Sequence, residues 1–210
     1  RIQYKDYAAC QQTQLQHENM RMYREYWMKQ FEGELPVVAL PADKMRPPVK
    51  TYRGGTVNRV ISKESGAAIK NLSQEHGATL FMGLLATVKL LLHRYTHQED
   101  IIIGSPVAGR EHADLENQIG FYINTVALRS RFTGNDSFSA LLDHIRQVTV
   151  EAQAHQVYPF DELVEALNLQ RDISRNPLFD VWVVLHEKET LASDTNASKG
   201  ELVVGGYGKA

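Results

Sequence analysis

Cysteine occurs once in the 210 residues, at Cys10. No intramolecular disulfide can form, which suits a reducing compartment and sets cytoplasm as the expectation. Neither charge sign is in surplus: 23 Lys and Arg stand against 25 Asp and Glu. That balance leaves no excess of cations to neutralise a phosphate backbone or hold an anionic bilayer, so nucleic acid and membrane are not expected partners. No apolar run approaches the ~20 residues of a membrane span. The longest, Leu80 to Leu92, contains Lys89 and is followed by His93 and Arg94, so it reads as a buried helix. The first residues lack the charged and apolar regions of a signal peptide. The pairs Gly54-Gly55 and Gly205-Gly206 lack the spacing of a dinucleotide or phosphate-binding loop.

What is present is 43% hydrophobic residues, enough for one sizeable core. Tyr23, Tyr26, Trp27 and Phe31 recur at helical spacing, and Tyr7 to Phe31 reads as one long amphipathic helix ended by Gly33 and Pro36. From Leu35 to Arg53 the prolines Pro36, Pro41, Pro47 and Pro48 favour an extended crossing segment. Thr56 to Ser62 reads as a strand, Glu64 to Glu75 as a helix closed by Gly77, and Leu80 to Tyr95 as a helix apolar on most sides. Asp100 to Val107 and Gly120 to Phe132 read as sheet strands. Ser137 is a plausible N-cap for a helix carrying Phe138, Leu141, Leu142, Ile145 and Val148, and a shorter helix, Phe160 to Leu167, follows Pro159. Leu178 to Leu185 reads as a buried strand, and Thr190 to Gly200 has the composition of a loop. The alternation predicts an α/β layered domain in which helices cover a mixed sheet.

No complete catalytic constellation emerges from the residues themselves. His93 and His97 share a helix face, but no Glu of a zincin motif stands between them and no third ligand is near, so both fit the helix C-terminus better than a metal. Ser105 is followed by Pro106, not by the x-Gly of a nucleophile elbow. Cys10 has no adjacent cation to lower its pKa and reads as a small packed residue.

Four stretches, in order, resemble the later signature motifs of condensation domains from nonribosomal peptide synthetases. YKDYAACQQ, from Tyr4 through Asp6 to Gln12, is similar to Y-x-D-[FY]-A-x-W, with Cys10 where Trp is usual. IGFYINTVALR carries Gly120, Asn124, Thr125 and Arg129 of I-G-x-F-[VI]-N-T-x-x-x-R, with Tyr122 standing for Phe. HQVYPFDEL, with Pro159 and Phe160, resembles H-Q-D-x-P-F-E, Val157 and Asp161 being departures. RDISRNPLFD matches R-D-x-S-R-N-P-L through Arg171, Asp172, Arg175, Asn176 and Pro177. The Asn-Thr pair favours condensation over epimerization, and the wording leans toward the subtype joining two L-configured residues.

The resemblance implies a chloramphenicol-acetyltransferase-like layered fold and an incomplete half of a V-shaped condensation domain. Residues 1–53 would be a helix and Pro-rich connection from the first half, and residues 54–210 a truncated second half. The family's H-H-x-x-x-D-G motif is not among these residues, which contain no adjacent His pair, so no catalytic residue is assigned. The implied activity, in the biosynthesis of antibiotics and other secondary metabolites, is peptide-bond formation between two thioesters. Peptidyl carrier domains would deliver both on phosphopantetheine arms, with no tightly bound cofactor. Further implied partners are an adenylation domain, the missing N-terminal half and a second copy covering exposed faces. The residues expected along the tunnel are Ser105, Pro106, Gly109, Arg110 and Asn124. Competing readings are a non-catalytic docking scaffold and a coenzyme A-dependent acyltransferase; the second needs an H-x-x-x-D histidine, a context none of the eight histidines has.

Overall fold

A computed structural model describes residues 2–51, 53–110, 112–170 and 172–186, together with the backbone of 202–204. The order is α1 (Tyr4–Leu15), α2 (Glu18–Gln30), β1 (Arg59–Ile61), α3 (Lys63–Glu75), α4 (Leu80–Thr96), β2 (Asp100–Val107), a 3-10 turn (Ala113–Leu115), β3 (Asn124–Arg131), α5 (Phe138–Ala154), α6 (Phe160–Ala166) and β4 (Leu202–Val204).

The expected single N-terminal helix is two. Gln16 ends the first, and His17, extended at φ −80° and ψ 148°, starts the second. The physical reason lies in the stripe: the aromatic positions that demand burial all fall on α2, where Met20 and Trp27 are buried, whereas α1 buries nothing. For the same reason Cys10, expected to be packed, is exposed.

The central sheet pairs β2 with β3 antiparallel, from Asp100 opposite Arg131 to Val107 opposite Asn124. Residues 181–183 join the other edge of β2 in parallel: the Gly104 amide donates to the Val181 carbonyl at 3.0 Å and the Val183 amide to the Gly104 carbonyl at 2.9 Å. The sheet is therefore mixed. The expected buried strand Leu178 to Leu185 is corrected to an extended edge, because its alternate side chains, Trp182 and Val184, face solvent. A second, two-stranded sheet pairs β1 with β4 antiparallel. Thr190 to Gly200, read as a loop, lies outside the described residues.

Helices α4 and α5 pack together, and α5 packs on β3. The expected cap Ser137 is in place, its Oγ accepting from the Ala140 amide, and at the start of α4 Thr79 Oγ1 accepts from the Met82 amide. Leu85 and Ala86 on α4, Leu142 and Ile145 on α5, and Ile101 to Ile103 on β2 are sealed from water. Burying each Leu or Ile contributes ~1.5–3 kcal/mol. Trp27, Phe31 and Val38 belong to the same cluster, so the core takes in residues on both sides of position 53.

Candidate functional site

Two of the four signature stretches, with Arg110 from the segment between them, meet around one ring. Tyr122, buried at the approach to β3, is edge-on to Tyr4 at 5.4 Å and to Tyr7 at 4.8 Å between centroids. The Arg110 guanidinium lies over the Tyr122 ring at 4.3 Å, a cation–π contact, and also donates to the Leu115 carbonyl. The Tyr122 hydroxyl donates to Gln118 Oε1 at 2.9 Å, while Gln118 Nε2 reaches the carbonyls of Ile2 and Asp114.

Two glycines make this junction possible. A Cβ on Gly120 would stand 2.6 Å from the Tyr4 ring and 2.7 Å from the Tyr122 ring. Gly109 has φ +63°, and a Cβ there would come within 1.9 Å of the Tyr122 carbonyl oxygen, which as backbone cannot yield. Asp6 serves the first helix directly, its carboxylate accepting the Gln3 amide at 2.9 Å in a capping box.

Asn124 was expected along the tunnel that takes substrate or pantetheine. The structure commits it inward instead: Nδ2 donates to the carbonyls of Gln156 at 2.7 Å and Tyr158 at 2.9 Å, while Oδ1 accepts from the Thr125 and Phe160 amides. Two donors and two lone pairs are thereby used, so the side chain stitches the turn of the third motif to the start of β3. Pro159 caps α6, and Phe160 contacts Phe179, whose ring occupies the space that a side chain at Gly104 would need.

Ser105 and Pro106 line a cleft of about 240 Å³ between α4, α5, the sheet and residues 184–185. Its walls include Phe81, Val126 and Leu128, with Thr149 and Gln153 the other polar side chains. Gly109, Arg110 and Asn124 do not line it; the expected tunnel residues thus fall into three places, Ser105 and Pro106 at the cleft, Gly109 and Arg110 at the aromatic junction, and Asn124 at the turn of the third motif.

Arg129 is a splice. Its guanidinium pairs with Asp100 at 2.7 Å and donates to the carbonyls of Gln30, Glu32 and Glu34, joining the end of α2 to the sheet. Burial raises the Asp100 pKa, but hydrogen bonds and charge from Arg129 and Arg131 outweigh it and hold the carboxyl below its ordinary range. The last motif is a clamp. Asp172 Oδ1 accepts from the Ser174 amide and hydroxyl, Arg175 pairs with Asp180, and from the Pro-rich segment Arg46 reaches Asp180 and Lys50 reaches Asn176 Oδ1 at 2.6 Å. Pro177 accepts the Phe179 amide at 2.9 Å. Arg171 lies outside the described residues.

Lys89 was missed as an anchor, although a lone charge in an apolar helix was its signal. Fully buried, its Nζ donates to the Ile101 and Leu128 carbonyls and to Ser130 Oγ at 2.7–3.0 Å. Burial pushes its pKa down to about 7, against an opposing pull from Asp100. His93 Nδ1 bonds the Gln98 carbonyl and His97 ends α4 in the left-handed region. Among the described residues no cluster of His, Cys, Asp or Glu could hold a metal ion, and no single helix is long and apolar enough to cross a membrane.

A mixed sheet carrying helices, with these motif segments bonded to one another, defines an acyltransferase-like condensation fold. The family model for the condensation domain matches residues 1–206, and the chain belongs to that family. A plipastatin synthase of Bacillus subtilis (strain 168) is 48% identical over 189 residues, 90% of this chain and 5% of that protein. Bacitracin synthase 1 of Bacillus licheniformis is 40% identical over 202 residues, 96% of this chain and 4% of that protein. The chain thus spans a small fraction of these curated relatives. Among solved structures, the X-domain from teicoplanin biosynthesis superposes with a TM-score of 0.85 at 25% identity, over all of this chain and 47% of that one.

Proposed function

We propose that the chain forms part of a condensation domain that joins a donor acyl or peptidyl thioester to an acceptor aminoacyl thioester, both held on the phosphopantetheine arms of carrier domains. The observation that carries this reading is the junction at Tyr122, where the segments Tyr4 to Tyr7, Gly109 to Arg110 and Gln118 to Asn124 fit together as one unit. The similarity to plipastatin and bacitracin synthases supports the same class of chemistry.

In such a domain the acceptor amine attacks the donor carbonyl, the thiolate leaves and a proton departs from the amine. Thioester aminolysis is downhill, so catalysis rests on orientation, worth ~7–11 kcal/mol, and on exclusion of water. The residues of this chain supply wall and placement. The cleft beside Ser105 and Pro106 is apolar with a few neutral polar groups, a lining suited to an uncharged, flexible arm. Gly109 and Arg110 set the path of the chain leaving that cleft, and Asn124 holds the turn at Pro159. Proton transfer would come from the other half of the parent fold, with carrier and adenylation domains as neighbours and the cytoplasm as setting.

The test is a condensation assay with loaded donor and acceptor carrier proteins. Dipeptide is expected when the chain is mixed with a first half bearing the H-H-x-x-x-D-G motif, and none from the chain alone. Product from the chain alone would overturn the assignment of the proton-transfer group.

A further inference from the structure

The wall of the cleft formed by Val184 and Leu185 is lightly held. The strand before it, residues 181–183, meets the sheet, among the described residues, through two main-chain hydrogen bonds to Gly104, and Trp182 and Val184 are 47% and 39% exposed. The turn that leads into it is strained. Leu178 has φ +67°, a left-handed conformation that a bulky side chain seldom takes and that persists only where neighbouring contacts impose it.

Those contacts come from two sides. On the inner side the Phe179 ring fills the space over Gly104. On the outer side the Asp180 carboxylate pairs with Arg175 and lies 3.5 Å from the Arg46 guanidinium. Arg46 belongs to the Pro-rich segment, which crosses the loop of the last motif as a strap. Arg46 Nη1 donates to the Ser174 carbonyl at 3.2 Å, the Lys50 amide to the Ile173 carbonyl at 2.9 Å and Lys50 Nζ to Asn176 Oδ1 at 2.6 Å. Between the two cations stand Pro47 and Pro48, whose fixed φ stiffens the span, so a displacement of the strap is passed to the loop rather than absorbed.

We propose that Asp180 is a positioning residue for the cleft and that the Pro-rich segment acts through it as a lever. With the strap seated, Arg46 and Arg175 fix Asp180, Asp180 holds the strained turn, and the turn sets how far Val184 and Leu185 stand from Thr149 and Gln153 on α5. The proposal rests on the functional reading above, in which this cleft receives the uncharged arm. Asp180 itself does not line the cleft and acts through the residues that follow it. Its side chain is 17% exposed, so the carboxylate cannot freely exchange its guanidinium partners for water, and their loss is felt by the backbone that carries it.

Trp182 supplies the readout. Its ring is 5.3 Å from that of Phe179 and half exposed, whereas Trp27, the other tryptophan, is 3% exposed and closed to a quencher. Acrylamide quenching of the chain alone therefore follows the edge strand. Asp180→Asn, and separately the double change Arg46→Ala with Lys50→Ala, should each raise the quenching constant about twofold, while Arg21→Ala, which removes an exposed ion pair on α2, should leave it unchanged. Arg46→Lys should restore part of what Arg46→Ala loses. The strap residues are exposed, so the double variant keeps its fold even where Asp180→Asn does not, and circular dichroism checks both. Quenching that ignores the strap variant, or that rises equally with Arg21→Ala, overturns the proposal.

In the condensation assay on the mixed halves, the strap variant should raise the KM for a loaded carrier about fivefold and keep kcat within about twofold, the mark of lost binding rather than lost chemistry. A fall in kcat at unchanged KM overturns the positioning role. Dipeptide absent from the native mixture, with the quenching result intact, removes the functional reading and leaves the lever.

Discussion

Lys89 and Arg129 show how much a single buried cation can organise. All three Lys89 protons have acceptors and Asp100 favours the ammonium, yet complete burial prevails and lowers the pKa to about 7, against ~10.4 in an unfolded chain. Between those values the unfolded state binds more protons, so stability rises with pH across that interval, by up to about 4–5 kcal/mol, and the penalty is fully present below pH 7. Chemical denaturation at pH 7 and pH 9.5 should show the rise in the native chain, and Lys89→Met should abolish it. Asp100 acts in the opposite sense: its depressed pKa contributes stability above the usual carboxylate range that is lost as pH falls through the folded value. Replacing Arg129 by Met leaves Asp100 with Arg131 alone and takes the guanidinium away from the Gln30 and Glu34 carbonyls, with an expected loss of about 3 kcal/mol in a urea titration.

At the scale of elements, close approach decides. Gly109→Ala combines a left-handed φ with a collision against the Tyr122 carbonyl, and a loss of about 3 kcal/mol is expected on thermal or urea unfolding. Gly104→Ala meets the Phe179 ring at 2.2 Å and should displace the edge strand, read as faster hydrogen exchange at the Val183 amide with smaller changes on β3. What was legible in the sequence follows from periodicity and caps: α3, α4 and β2 stand within a residue or two of expectation, and α5 starts directly after its expected cap Ser137, because burial on one face or several writes itself into spacing. The break at Gln16–His17 was not legible, since an apolar stripe on α2 cannot report where a polar helix before it bends. Nor was the inward commitment of Asn124, three of whose four partners lie 32 to 36 residues away along the chain. The motifs named the residues of the junction, while the ring contacts that unite them required the fold.

At the scale of the molecule, the Pro-rich segment is tied down at both ends by different means. The Gln98 side chain joins its first part, donating to the Val37 carbonyl and accepting the Ala39 amide, whereas Arg46 and Lys50 hold its later part to the loop of the last motif. Exposed polar pairs contribute about 0.2–1 kcal/mol each, so the double change Arg46→Ala and Lys50→Ala should barely move the global unfolding midpoint. Limited proteolysis should nevertheless cut between residues 40 and 51 sooner, because local opening is governed by those few bonds.

The contact that joins the N-terminal helices to the sheet has a consequence for engineering. Arg129 grips Gln30, Glu32 and Glu34 by their carbonyls alone, and every amino acid supplies that group. It is a joint that reads the path of the chain and ignores its spelling, so the side chains at those three positions can be rewritten, or the leading helix exchanged for one from a relative, provided the backbone still arrives along the same track.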